Sequence, residues 1–142
     1  MNIEVEFILY ADDFPIDIVT KEIGINDFVY SKKGDIIYYG EKKQLHRVED
    51  CTSIVYSVNS TYTNDLTEPI QQMCDLLKPA SASIITCMEK YKLTAKFCIV
   101  INLSDNPIIE LSQEFIKLAC QVNASIEFDS YVNYDDKGNV IL

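Results

Sequence analysis

Apolar and polar residues alternate over residues 3–10: Val5, Phe7 and Leu9 share one side, while Glu4, Glu6, Ile8 and Tyr10 share the other. A period of two is that of a strand with one buried face. After the Asp12-Asp13 turn the period changes. Ile16, Val19 and Ile23, with Ile18 beside them, keep a helical face over residues 15–24. Asp13 suits the cap of this helix, Pro15 its first turn and Gly24 a left-handed end. The same unit recurs near the other end of the chain. Residues 97–103 are an apolar strand, Asp105 and Pro107 lie in a turn, and Leu111, Phe115, Leu118 and Val122 form one face of a helix over 109–122.

Between these units, residues 28–30 and 36–39 read as short β-rich runs, separated by the turn residues Lys32-Lys33-Gly34-Asp35. Residues 41–50 are polar and read as a loop. From Ser53 to Thr63 the alternation is strong, with Ile54, Tyr56, Val58 and Tyr62 on one face and Ser57, Asn59 and Thr61 on the other. Ile70, Met73, Cys74 and Leu77 form a stripe at helical spacing over 66–78, in a helix started at Asp65 or Thr67, and Pro79 breaks it. A further helical stretch carries Ile84, Ile85 and Met88 and ends near Tyr91. Leu93, Ala95, Phe97, Ile99, Ile101 and Leu103 mark a strand over 94–103, and Ile126, Phe128 and Val132 mark another over 126–133. Asp135-Asp136-Lys137-Gly138 is a hairpin turn from which Asn139–Leu142 can pair back.

The order is β-α-β-β-α-β followed by α-β. This predicts an α+β fold of ferredoxin-like type with an added α-β unit: a mostly antiparallel sheet with helices packed on one face. Nothing divides the 142 residues, so a single domain over 1–142 is expected. Phe7, Leu9, Phe97, Ile99, Phe115, Leu118, Ile126 and Phe128 are its expected core.

Charge narrows the partners. With 12 basic and 22 acidic side chains the net charge is -10, which repels a phosphate backbone and disfavours nucleic acid. A basic or neutral protein partner is compatible with it. The five cysteines are odd in number and match no metal-ligand spacing, so neither a disulfide nor a bound metal is expected, and a reducing compartment is. No apolar stretch has the length of a membrane helix, and the first residues lack the basic and apolar regions of a leader. A cytoplasmic protein with no membrane contact is the expectation.

Ala11-Asp12-Asp13-Phe14 through Ile23-Gly24-Ile25, followed by Ser31-Lys32-Lys33-Gly34-Asp35, resembles a bacterial family described as domain of unknown function 4279. Tyr56-Ser57, the run from Ile70 to Pro79, Phe97 to Ile101, Glu114-Phe115 and Ile126 to Val132 extend the resemblance over nearly the whole chain. Pro15 stands one residue earlier than the proline usual at this helix start, and Ile54 stands where an aromatic is usual. Both departures concern packing. The resemblance brings no catalytic residue with it.

The chemistry-bearing residues point the same way. Asp12-Asp13 could hold Mg²⁺ or act as an acid–base pair, but a turn and helix cap explain it with fewer requirements. His46 is the sole histidine, and it and Cys51 sit in a polar stretch without a surrounding motif. Lys32-Lys33-Gly34 lacks the length and serial glycines of a phosphate loop. No catalytic residue, cofactor or metal ligand is assigned. Strand alternation instead places Glu4, Glu6, Tyr10, Asn59, Lys96, Asn102, Glu127, Asp129 and Tyr131 on one open sheet face. Four acids with one lysine do not suit RNA, which is met by aromatic and basic residues together. The expectation is a non-enzymatic protein-binding domain, one form of which is an immunity protein that neutralises a basic toxin. A small-molecule-binding domain of ferredoxin-like type is the alternative, and an enzyme of unknown reaction the third. Nothing in the sequence fixes an oligomeric state.

Overall fold

The computed structural model of the chain describes residues 2–61, 65–103, 109–132 and 134–139. Its elements run β1 (Asn2–Ala11), α1 (Ile16–Ile23), β2 (Val29–Ser31), β3 (Ile36–Tyr39), β4 (Leu45–Val48), β5 (Thr52–Thr61), α2 (Thr67–Leu77), a 3-10 turn (Lys78–Ala80), α3 (Ser81–Tyr91), β6 (Thr94–Leu103), α4 (Gln113–Gln121) and β7 (Ala124–Val132). Five strands form one sheet in the order β2-β5-β1-β6-β7, and β3 and β4 form a separate pair. All pairings are antiparallel except β6 with β7. The fold is α+β. Tyr62, the turn at residues 104–107 and, of the return strand expected at 139–142, all but Asn139 lie outside the described residues.

The period-two pattern decides which face is covered. Ile3, Val5, Phe7 and Leu9 of β1 are buried, and they sit level with Ile54 and Tyr56 on β5 and with Ala95, Phe97, Ile99 and Ile101 on β6. The helices add their stripes to this one cluster: Ile16, Val19 and Ile23; Ile70, Met73, Cys74 and Leu77; Ile84 and Cys87; Phe115, Leu118 and Ala119. Phe97 lies between Phe7 and Phe115, with ring centroids 4.9 and 4.7 Å away.

Several expectations need correction. Asp13 does not cap α1. Pro15 holds the cap position without a side-chain bond, while Asp13 Oδ1 accepts from Phe14 N and Thr52 Oγ1, both at 2.9 Å. The helix expected over 109–122 starts only at Gln113, because Ser112 caps it by accepting from Phe115 N at 3.2 Å. Pro79 ends α2 but does not end helical conformation. As the second residue of a 3-10 turn it needs no amide hydrogen bond, and α3 follows directly. Residues 41–50 are not all loop, since Leu45–Val48 pairs with Ile36–Tyr39.

Phe128 is not core: it is 44% exposed, and Ile126 is half-buried. β7 is an edge strand reached from α4 through a tight turn at Asn123, whose φ is 51°. Nine helical residues rise only about 13 Å, whereas nine strand residues extend about 30 Å. α4 therefore spans no more than about half of β7, and Phe128, midway along this edge strand, is left exposed. Among the cysteines, Cys74, Cys87 and Cys98 are buried, Cys51 is partly buried and Cys120 is exposed.

Candidate functional site

The sheet face turned away from the helices is assembled from four strands, and their register fixes its rows. One row runs Ser57, Glu6, Cys98, Glu127; the next runs Asn59, Glu4, Val100, Asp129; a third runs Val55, Ile8, Lys96, Ser125. Tyr10 lies level with Ser53 and Thr94 at one end, and Asn102 lies level with Tyr131 at the other. All nine residues that alternation assigns to this face, Glu4, Glu6, Tyr10, Asn59, Lys96, Asn102, Glu127, Asp129 and Tyr131, are brought together on it. The strand register also brings Ile8, Val55, Cys98 and Val100 to this face, where they stand between the acids and make it apolar as well as negative.

Its electrostatics are uneven. Lys96 Nζ lies 3.3 Å from Glu127 Oε2 and is the only cation paired with an acid of this face among the described residues. Partial burial pushes the Glu6 carboxyl up from its ordinary range, and Glu4 and Asp129 push it the same way while Lys96 opposes them. The Cys98 thiol beneath is also raised, by burial first and then by Glu6 and Glu127. Like charges crowded on a half-desolvated surface are a state that an incoming cation relieves.

At the Tyr10 end, the face runs into a cleft of about 700 Å³ lined by Tyr10, Asp12, Asp13, Asp50, Cys51, Tyr91, Lys92 and Thr94. Asp12 and Asp13, which line it, are tied to the second polar turn and to the start of β5. Lys33 Nζ donates to both Asp12 carboxylate oxygens at 2.8 and 2.9 Å, and Lys33 N donates to Thr52 Oγ1, which in turn donates to Asp13. Asp12 and Asp13 are thus occupied in joining β1 to the start of β5. Among the described residues, no group of three or more His, Cys, Asp or Glu is placed to hold a metal ion.

Four of the five thiols, Cys51, Cys74, Cys87 and Cys98, are raised in pKa and so are poor nucleophiles. Burial pushes Cys74 up to about 11 and Cys87 to about 12, the latter also donating to Glu22 Oε2 at 3.0 Å. Cys51 is raised by burial and by Asp50. His46 stands on exposed β4 with its ring 6.3 Å from Tyr38, so it and Cys51 have different neighbours.

The β3–β4 pair is the feature that sequence reasoning missed. Ile36, Tyr38, Tyr39, Leu45 and Val48 are about half exposed or more, with Tyr38 at 61%. The Ile36–Tyr39 run signals a strand; Leu-His-Arg-Val is too short and too polar to signal its mate.

A family model described as Domain of unknown function (DUF4279) matches residues 1–133. Neither a curated protein nor a solved structure matches the chain. Among the described residues no helix is long and apolar enough to cross a membrane.

Proposed function

We propose that this chain, which belongs to the DUF4279 family, is a non-enzymatic protein-binding domain whose open sheet face takes a basic partner protein. The carrying observation is the convergence of Glu4, Glu6, Glu127 and Asp129 on one face with Ile8, Val55 and Val100 between them. Acids steer the encounter and set its orientation, and the apolar residues supply area to bury. The raised thiols and the structural use of Asp12 and Asp13 favour binding over catalysis. A cytoplasmic immunity protein against a basic toxin of bacterial origin is one form of this function, because toxins that act on nucleic acid are themselves basic.

A ferredoxin-like arrangement is the finer fold proposed. The strand order β6-β1-β5-β2, all antiparallel, supports it, with β7 added outside β6 and the β3–β4 pair inserted between β2 and β5. A second reading, a small-molecule site, is favoured by the cleft beside Tyr10, whose volume suits a small ligand.

The test begins with capture of a basic protein from the native cell by the purified chain. Glu6→Lys, Glu127→Lys and Asp129→Lys together are then expected to slow association and flatten its salt dependence while the fold survives. Association rates at two ionic strengths measure this. Unchanged rates would remove the face from the interaction, and a bound metabolite seen by native mass spectrometry would favour the cleft.

A further inference from the structure

β3 and β4 continue the β2–β5 pairing beyond the end of the five-stranded sheet as a two-stranded arm. Gly34 N donates to Glu49 O at 2.8 Å, and Glu49 N donates to Asp35 O at 2.9 Å, so the ribbon is held in register through its base. Asp35 fixes the turn there by accepting from Lys32 N at 2.8 Å, and Lys33 anchors it to Asp12. Gly34 has a φ of 91°, which favours glycine, so the base is shaped by sequence. Beyond it, Ile36 lies opposite Val48, Tyr38 opposite His46 and Tyr39 opposite Leu45.

Two exposed apolar faces on a lone strand pair are unfavourable, because such a pair has too little burial to be stable by itself. Charge indicates what covers it. Residues 32–47 hold five of the chain's 12 basic side chains, Lys32, Lys33, Lys42, Lys43 and Arg47, against only Asp35 and Glu41 among its 22 acids. In a protein of net charge -10 the arm is thus locally positive where Ile36, Tyr38, Tyr39, Leu45 and Val48 stand exposed, with Lys33 paired to Asp12 and Arg47 lying 3.3 Å from Glu49 Oε1. The open sheet face has the complementary composition: Glu4, Glu6, Glu127 and Asp129 around Ile8, Val55 and Val100.

We propose that the arm of one copy docks on the acidic sheet face of a second copy, and that the exchange is reciprocal, giving a closed dimer. Lys42 and Lys43 at the tip meet the acids, with Arg47 exchanging Glu49 for one of them, while Tyr39 and Leu45, on the same side of the ribbon as Arg47, bury the apolar residues between them. Reciprocal exchange covers the Tyr39–Leu45 side of both arms and closes the assembly, whereas one-way docking would build open chains. The dimer uses the face described above but needs no foreign partner, so the purified chain tests it independently of that function.

Sedimentation velocity of the full chain at low ionic strength is expected to show a dimer that dissociates as salt is raised. Lys42→Glu, Lys43→Glu and Arg47→Glu together, and separately Glu6→Lys, Glu127→Lys and Asp129→Lys together, are each expected to lose the dimer. Mixing the two variants is expected to restore it as a heterodimer, because both arm–face contacts then join opposite charges. Glu127→Lys with Asp129→Lys, both at exposed positions, replaces the triple face variant should circular dichroism show that one unfolded. A monomer at low salt overturns the proposal. So does a dimer that survives both reversals but is lost in Tyr38→Ser with Leu45→Ser, since the arms would then pair with each other. Failure of the mixture to associate overturns it as well.

Discussion

Two side chains hold polar groups where the fold gives them poor company. The Tyr56 ring is fully buried between Phe7 and Phe28, and its hydroxyl finds no hydrogen-bond partner among the described residues. Burial, followed by the nearby Cys87 thiol, pushes its pKa up to about 12. An unpaired buried hydroxyl costs about 1–3 kcal/mol. Tyr56→Phe is therefore expected to leave stability unchanged or raise it by about 1 kcal/mol, within that range. Denaturant unfolding measures it, and a clear loss would reveal a bound water or other partner. Glu6 is the second case. Its carboxyl is raised by burial, then by Glu4 and Asp129, so the folded state binds the proton more tightly than the unfolded chain does. That contribution is fully present below the ordinary value of 4.5 and is lost as pH rises through the raised one. Glu6→Gln should therefore raise the melting temperature at pH 7, with the gain fading in acid below the ordinary value. An equal gain at both pH values would point away from ionisation.

Among the elements, α4 shows how one helix closes the core. Ser112 sets its start, and Phe115 on its first turn reaches Phe97 at 4.7 Å. Phe115→Ala removes the ring that seals β6 and should cost about 3–5 kcal/mol through lost burial and a residual cavity. An unchanged denaturation midpoint would mean that α4 does not cover the sheet. Most elements were legible because their patterns are long: the α2 stripe of Ile70, Met73, Cys74 and Leu77 is buried as its spacing predicts. The failures were short or terminal. Leu45–Val48 has four residues, all exposed, so no burial pattern marks it, and its pairing with Ile36–Tyr39 comes from the ribbon. Phe128 alternates correctly with Ile126, but alternation names a face and not whether anything covers it at an edge strand.

For the molecule as a whole, charge is the dominant surface property. A net charge of -10 on 142 residues implies self-repulsion in the folded state, concentrated where Glu4, Glu6, Glu127 and Asp129 share a face. At protein concentrations where the chain is monomeric, added sodium chloride should screen this and raise the melting temperature, and Glu127→Lys should weaken that dependence. Thermal melts at two salt concentrations decide it. A flat response would mean that these acids are already balanced by their neighbours. The two turns that carry the family resemblance also meet at this scale. Asp12 and Asp13 from the first, and Lys33 and Asp35 from the second, form the joint from which the arm projects. Their recognisable pattern fits a structural role.

The sequence by itself determined the α+β class, the one-sided burial of β1, β5 and β6, the helix stripes and the membership of the acidic face. Each of these follows from a local period, because a strand or helix projects side chains at fixed intervals wherever it is placed. Tertiary structure alone decided what those intervals meet. The strand–turn–helix unit near each end of the chain reads alike, yet β6-α4-β7 places its strands side by side in parallel, while β5 lies between β1 and β2. The same holds for the arm, for Asp13 bonding Thr52 instead of a helix end, and for exposed Phe128. These outcomes depend on residues far apart in the chain competing for the same edge, hydrogen bond or cover, and no local period records that competition.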